Sequence, residues 1–184
     1  MMKSILSLLF IGLLISSCGN AKKEAFLKQI TDLEKQLEDI EKNLEANQID
    51  TIAGVKIAAS TVENRIKHHL VMDKIDLELG SKMDEFKRTR KKLNPLGSNF
   101  NKIRRGIEEE KIALLNLKTD IENGAGEKEK YAEHIDFEKN KIEQLQVLLD
   151  DFLRSRKEFY DAFNRLYPEL YHLSMTLLEK DKKH

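Results

Sequence analysis

One cysteine, two prolines and no tryptophan occur in the 184 residues, and each shortage closes off a class of structure. The lone thiol, Cys18, has no partner for an intrachain disulfide, so stability has to come from packing. With two prolines and only eight glycines there is little to interrupt long helices. No run reaches the roughly 20 apolar residues that a membrane-spanning helix needs. Lys plus Arg and Asp plus Glu number 32 each, and this neutrality excludes coating of nucleic acid through overall charge while leaving local patches open. No window alternates polar with β-branched residues, and no repeat of fixed length is present, so neither a sheet nor a solenoid is expected. Catalytic patterns are missing as well. His68 and His69 point about 100° apart on a helix, His134 and Glu138 share a face without a third ligand, and no serine or cysteine stands in a nucleophile elbow. The expectation is a protein that is not an enzyme and carries no metal or cofactor.

What is present begins at the amino terminus. Behind Lys3 an apolar run extends from Ile5 to Ile15, broken only by Ser7 and Gly12, which is the build of a secretory signal. The run closes in Ile15-Ser16-Ser17-Cys18: an aliphatic residue, two small residues and a cysteine. In these positions the chain resembles the bacterial lipoprotein class. The resemblance implies cleavage by signal peptidase II before Cys18, and three acyl chains on the Cys18 thiol and the new amino terminus. It divides the chain into a signal peptide (1–17), a lipidated tether (18–24) and a helical bundle domain (25–184). A single acyl chain holds a membrane marginally, whereas several hold durably, so lipid alone suffices as anchor.

The rest reads as helices. Phe26, Ile30, Leu33, Leu37, Ile40 and Leu44 recur at spacings of four and three, a coiled-coil seam. The seam fails at Asn47 and Gln48, and Asp50 offers a helix N-cap, so a turn is expected between Ala46 and Asp50; a continuous helix with a four-residue stutter gives similar spacing. A second stripe runs through Ile52, Val55, Ala59, Val62, Ile66, Leu70 and Leu77 to Gly80, where Ser81 caps a new helix with Asp84 three places on. Met83, Phe86 and Leu93 lead to Asn94-Pro95-Leu96-Gly97-Ser98, the strongest turn signal in the chain. Phe100, Ile103, Ile107, Leu114, Leu117 and Ile121 form a third stripe that ends in a hairpin at Asn123-Gly124-Ala125-Gly126. The last stripe, Tyr131 to Leu166, predicts one helix of about forty residues that Pro168 ends or kinks, followed by a short tail through Leu170, Leu173 and Leu177. Helices joined by such short turns fold back on one another, so the expected fold is all-α: an elongated antiparallel helical bundle of coiled-coil hairpins.

Two surface features stand out. From Lys87 to Arg105 there are eight cations (Lys87, Arg88, Arg90, Lys91, Lys92, Lys102, Arg104, Arg105) and no carboxylate. With a turn at 94–98 they crowd one hairpin tip, and alternating helix directions place that tip at the anchored end. There it would orient the bundle on anionic headgroups or bind a polyanion; alternatively Glu108, Glu109, Glu110 and the neighbouring arms neutralise it. Without stacking aromatics nearby, specific nucleic acid binding is not expected. Tyr160, Tyr167 and Tyr171 form a stripe about 90° from the Phe152, Phe159 and Phe163 face, either as a protein interface or as the margin of a wide core.

The functional expectation is a lipid-anchored envelope protein that binds or presents to a macromolecular partner. The richness in Lys, Glu, Ile, Leu and Asn behind a short lipobox is similar to the helical surface lipoproteins of spirochaetes, which implies a host protein at the cell surface as that partner. Gly19 is not the acidic residue that retains enteric lipoproteins in the inner membrane, so the outer membrane, in either leaflet, is the expected site. The alternative is a periplasmic coiled-coil adaptor that forms homo-oligomers through its seams or the tyrosine stripe.

Overall fold

The computed structural model describes residues 2–48, 52–71 and 76–181, with side chains from residue 20 onward except that of residue 52. Among the described residues the chain is all-α. The helices are α1 (Met2–Glu45), α2 (Ile52–His69), α3 (Leu77–Lys91), α4 (Leu93–Asn123) and α5 (Tyr131–Asp181), with a single 3₁₀ turn at Lys128–Lys130. They form two compact units. The first joins Met1–Asn43 to Arg104–Val147; the second joins Leu44–Ile103 to Leu148–His184.

In the first unit α4 runs antiparallel to both α1 and α5. Lys23 Nζ donates to the Glu122 carbonyl at 2.7 Å, Lys118 meets Glu34 at 3.1 Å and Lys111 meets Glu41 at 2.5 Å, so numbers rise on α1 as they fall on α4. Ile30, Leu33, Leu37 and Ile40 of the expected seam are buried, opposite Ile107, Leu114 and Ile121 of α4 and Ile135 and Ile142 of α5. The hairpin between α4 and α5 forms where expected. Gly124 (φ 64°) and Gly126 (φ 75°) take the left-handed region that a side chain disfavours. Gly124 N–H donates to Ile121 O and Ala125 N–H to Asp120 O, a Schellman ending that satisfies two of α4's last carbonyls. The Tyr131 hydroxyl then donates to the carbonyls of Asp120 (3.1 Å) and Ala125 (2.5 Å), tying the turn to α5.

In the second unit α3 lies antiparallel to α2 and α5. Arg90 pairs with Glu63 at 2.8 Å, Lys82 with Glu169 at 2.7 Å, and Lys92 with Glu158 at 2.9 Å. Its core gathers Ala59, Val62 and Ile66 of α2, Phe86 of α3, and Leu166, Leu170 and Leu177 of α5. The α1–α2 turn starts at Ala46, as expected; Asp50, the proposed cap, lies outside the described residues.

Three sequence expectations are corrected. Helix two does not reach Gly80: α2 ends at His69, and α3 starts at Leu77 because the Asp76 side chain accepts from the Leu79 N–H at 2.9 Å, supplying an N-cap that Ser81 was expected to provide. Asn94 to Ser98 do not form a turn. Pro95 has no N–H for the carbonyl of Lys91, and α3 stops at that residue; yet α4 starts at Leu93, where a proline in the first turn removes a donor that lacks a helical partner anyway. Leu93 and Leu96 are both buried, so the apolar stripe carries on across the break. Of the two outcomes expected at Pro168, an end or a kink, the end does not occur: α5 continues to Asp181. Pro168 and Asn164, whose carbonyl loses its donor, are both exposed, so water can serve that carbonyl, while Leu166 and Leu170 stay buried on the other side.

Two glycines within helices separate propensity from packing. A Cβ on Gly80 would meet nothing within 4 Å, whereas one on Gly106 would sit 2.6 Å from Leu145 Cδ2, where α4 and α5 approach closely. Gly80→Ala is therefore expected to raise stability by up to about 1 kcal/mol, and Gly106→Val to lower it by about 1–3 kcal/mol through overpacking. Urea unfolding of each variant tests both signs, and equal effects at the two positions would contradict the close approach.

Candidate functional site

The eight cations do not crowd one tip. With α3 and α4 following one another rather than folding back, they are distributed along helix. Lys87, Arg88, Arg90 and Lys91 belong to α3, Lys92 to the break and Lys102 to α4 of the second unit; Arg104 and Arg105 belong to the first unit. Arg90 is held by Glu63, Lys92 by Glu158, and Arg105 Nε lies 3.6 Å from Glu109. The neutralisation considered from the sequence thus holds for these three. Lys87, Arg88 and Lys91 are exposed and meet no carboxylate among the described residues; they line a shallow depression of about 540 Å³ with Ser81 and Asp84. Residues three and four apart on a helix are neighbours, so Lys91 repels Lys87 and Arg88 by tenths of a kcal/mol, which Asp84, three and four residues before Lys87 and Arg88, offsets in part. Lys102 and Arg104 are likewise exposed.

Within the first unit, Asn20, Lys22, Lys23 and Phe26 of α1 line a cavity of about 570 Å³ with Glu122, Lys128 and Tyr131 at the Asn123–Lys130 hairpin. α2 packs with α3 and α5 in the second unit, His69 meeting Asp181 of α5. The side chain of Cys18, the expected lipidation site, lies outside the described residues.

The tyrosine stripe is partly absorbed by packing. Tyr167 stacks on Phe163 at 4.6 Å, and Tyr160 receives the Arg156 guanidinium at 4.9 Å and the edge of Phe159 at 5.1 Å. Tyr171 stacks on Tyr167 at 5.6 Å but stays 42% exposed, the open end of the ladder. His68 Nδ1 lies 2.7 Å from the Asn64 carbonyl, and no group of three metal-ligating side chains occurs among the described residues. Within them, no helix is long and apolar enough to cross a membrane.

Sequence reasoning missed one cluster. Glu110 of α4 is only 2% exposed, pairs with Lys141 of α5, and leaves Oε2 without a hydrogen-bond partner. Lys141 also holds Glu138 at 3.2 Å. Burial, and then the neighbouring Glu138 carboxyl, push the Glu110 carboxyl up to about 7 against the pull of Lys141. The signal was in the spacing: Ile103, Ile107, Leu114, Leu117 and Ile121 leave one seam position vacant, and Glu110 fills it.

Compared with known proteins, the chain matches no family model, no curated protein and no solved structure.

The unequal surroundings of the cations give a stability test. Changing Lys87, Arg88 and Lys91 together to Gln should leave the thermal midpoint nearly unchanged, because the repulsion relieved around Lys91 and the attraction to Asp84 lost are each tenths of a kcal/mol. Glu63→Gln should lower stability by about 1–3 kcal/mol, since half-buried Arg90 then loses its carboxylate. A large loss in the first variant would mean that its cations have structural partners.

Proposed function

We propose that the chain is a lipid-anchored helical protein of the bacterial envelope, acylated at Cys18, that holds an acidic macromolecular partner on the exposed face of α3. The lipobox string Ile15 to Cys18 supports the anchor. The observation that carries the binding role is the set of exposed cations Lys87, Arg88 and Lys91, which form no ion pair and outnumber the one carboxylate, Asp84, around their depression, whereas Lys82, Arg90 and Lys92 of the same segment are each paired. An acidic protein face is the partner such a surface fits. Attraction of this kind steers encounter, and it weakens beyond a Debye length of about 8 Å at physiological salt. A host protein at the outer surface is the reading the sequence resemblance favours.

A second reading, a periplasmic adaptor built by self-association, is favoured by Tyr171, an aromatic ring left open at the end of a stacked ladder. Tyrosine is enriched at such interfaces.

Mass spectrometry of the natural protein is expected to show a chain beginning at Cys18 with acyl mass added; an unmodified thiol behind an intact leader would refute the anchor. Binding of poly-L-glutamate at low salt should weaken on the order of tenfold when Lys87, Arg88 and Lys91 are changed to Gln. It should persist when Lys139, Arg154 and Lys157, which pair along α5, are changed instead. Equal losses would mean that only overall charge matters. Protease added to intact cells should remove the helices if the protein faces outward, and their survival until the outer membrane is permeabilised would favour the adaptor.

A further inference from the structure

The heptad pattern of α5 has the same kind of gap as that of α4. Tyr131, Ile135, Ile142, Leu145, Leu149 and Phe152 recur at fours and threes once a single position is filled, and the residue there is Glu138. Two seam positions, one on each of two antiparallel helices, thus carry carboxylates, and the fold brings them to the same level of the first unit. There the Lys141 ammonium bridges Glu110 and Glu138. A polar layer of this kind costs stability compared with leucine.

The charges around it are unbalanced. From α5, Glu110 meets Glu138 and Lys141; from α1, Glu41 is taken by Lys111 and Glu38 by Lys42; on α4 itself, Lys111 turns to Glu41 and Glu108. Two carboxyls therefore share one ammonium, and Oε2 of Glu110 is buried with no donor. An ionised carboxylate can only accept hydrogen bonds, whereas a protonated one can donate. One added proton gives the layer its missing donor and makes its charges equal.

We propose that Glu110, seated between Glu138 and Lys141, is a proton-binding site in the seam between α4 and α5, occupied in acid and emptied as pH rises past neutrality, with the α4–α5 contact loosening when the proton leaves. The upward displacement of the Glu110 carboxyl by burial supports this assignment. The sign follows from linkage. A carboxyl that holds its proton more tightly folded than unfolded contributes its full stabilisation below the ordinary value of 4.5, and the contribution fades as pH climbs through the folded value of about 7. The first unit is accordingly tightest in mildly acidic surroundings.

The test uses the full chain. Carbon-13 carboxyl spectra should show one glutamate signal titrating near neutrality, and the thermal midpoint should fall on the order of 5 °C between pH 5 and pH 8. Amide exchange at 107–114 and 135–142, corrected for intrinsic rates, should speed up over the same range. Glu110→Gln, which keeps a donor permanently in place, should abolish the neutral titration and flatten the midpoint between pH 5 and pH 8. Glu138→Gln, which leaves one carboxylate to one ammonium, should move the remaining titration below pH 6; this variant decides the matter if the first fails to fold. A neutral titration that survives in either variant, or a wild-type protein with no glutamate titrating above pH 6, would overturn the proposal.

Discussion

The structure depends on a single apolar stripe along α5. From Tyr131 to Leu177 buried and half-buried side chains recur at spacings of four and three, and every other helix of the two units gains its core by packing against some part of it. Burying an apolar side chain contributes roughly 1.5–3 kcal/mol, so a stripe of this length outweighs local signals that oppose it. Pro168 is the clearest case. Its missing hydrogen bond falls on the exposed side, where the backbone reaches water, while Leu166 and Leu170 hold the opposite side in place.

Polar residues in the stripe fix details that leucine would leave open. Arg156 occupies a seam position in the second unit, and its Nη1 donates to Asn47 Oδ1 at 3.1 Å, securing the turn that ends α1. Glu110 and Glu138 do the corresponding thing in the first unit, where only one pairing level satisfies Lys141. A buried polar group in a heptad seam specifies register at a cost in stability. Such costs are tolerable in a protein with long helices and few other charges inside. The exposed ion pairs add little individually, and their arrangement says more about which cations remain unmatched than about stability.

Much of this was legible in the spacing of apolar residues. The seam of α1, the stripe of α4, the glycine hairpin and the all-α fold follow from period and turn chemistry alone. Misreadings arose where a local signal was weighed above the period. Phe86, Thr89, Leu93, Leu96, Phe100 and Ile103 recur at threes and fours straight through Asn94 to Ser98, so the stripe itself argued for a break without reversal. Asp76 was overlooked as a cap because the stripe was carried to Leu77, which is 81% exposed. Glu110 was passed over because an acidic residue is assumed to face water. Which cations stay unmatched was not legible at all, since it depends on carboxylates such as Glu63 and Glu158 that are distant in sequence. The lipobox, conversely, is a statement that only the sequence makes.

Helix seams set this fold, and the proposed lipid tether and partner contacts would be built onto it. The central structural claim is the continuity of α5, because without it the second unit loses its strut. Spin labels at positions 157 and 179, introduced with Cys18 replaced by Ala, read it directly by pulsed electron resonance. An unbroken helix predicts a narrow distance distribution near 33 Å, from about 1.5 Å per residue. A broad distribution centred well below that would mean that Pro168 breaks the helix and the tail folds back.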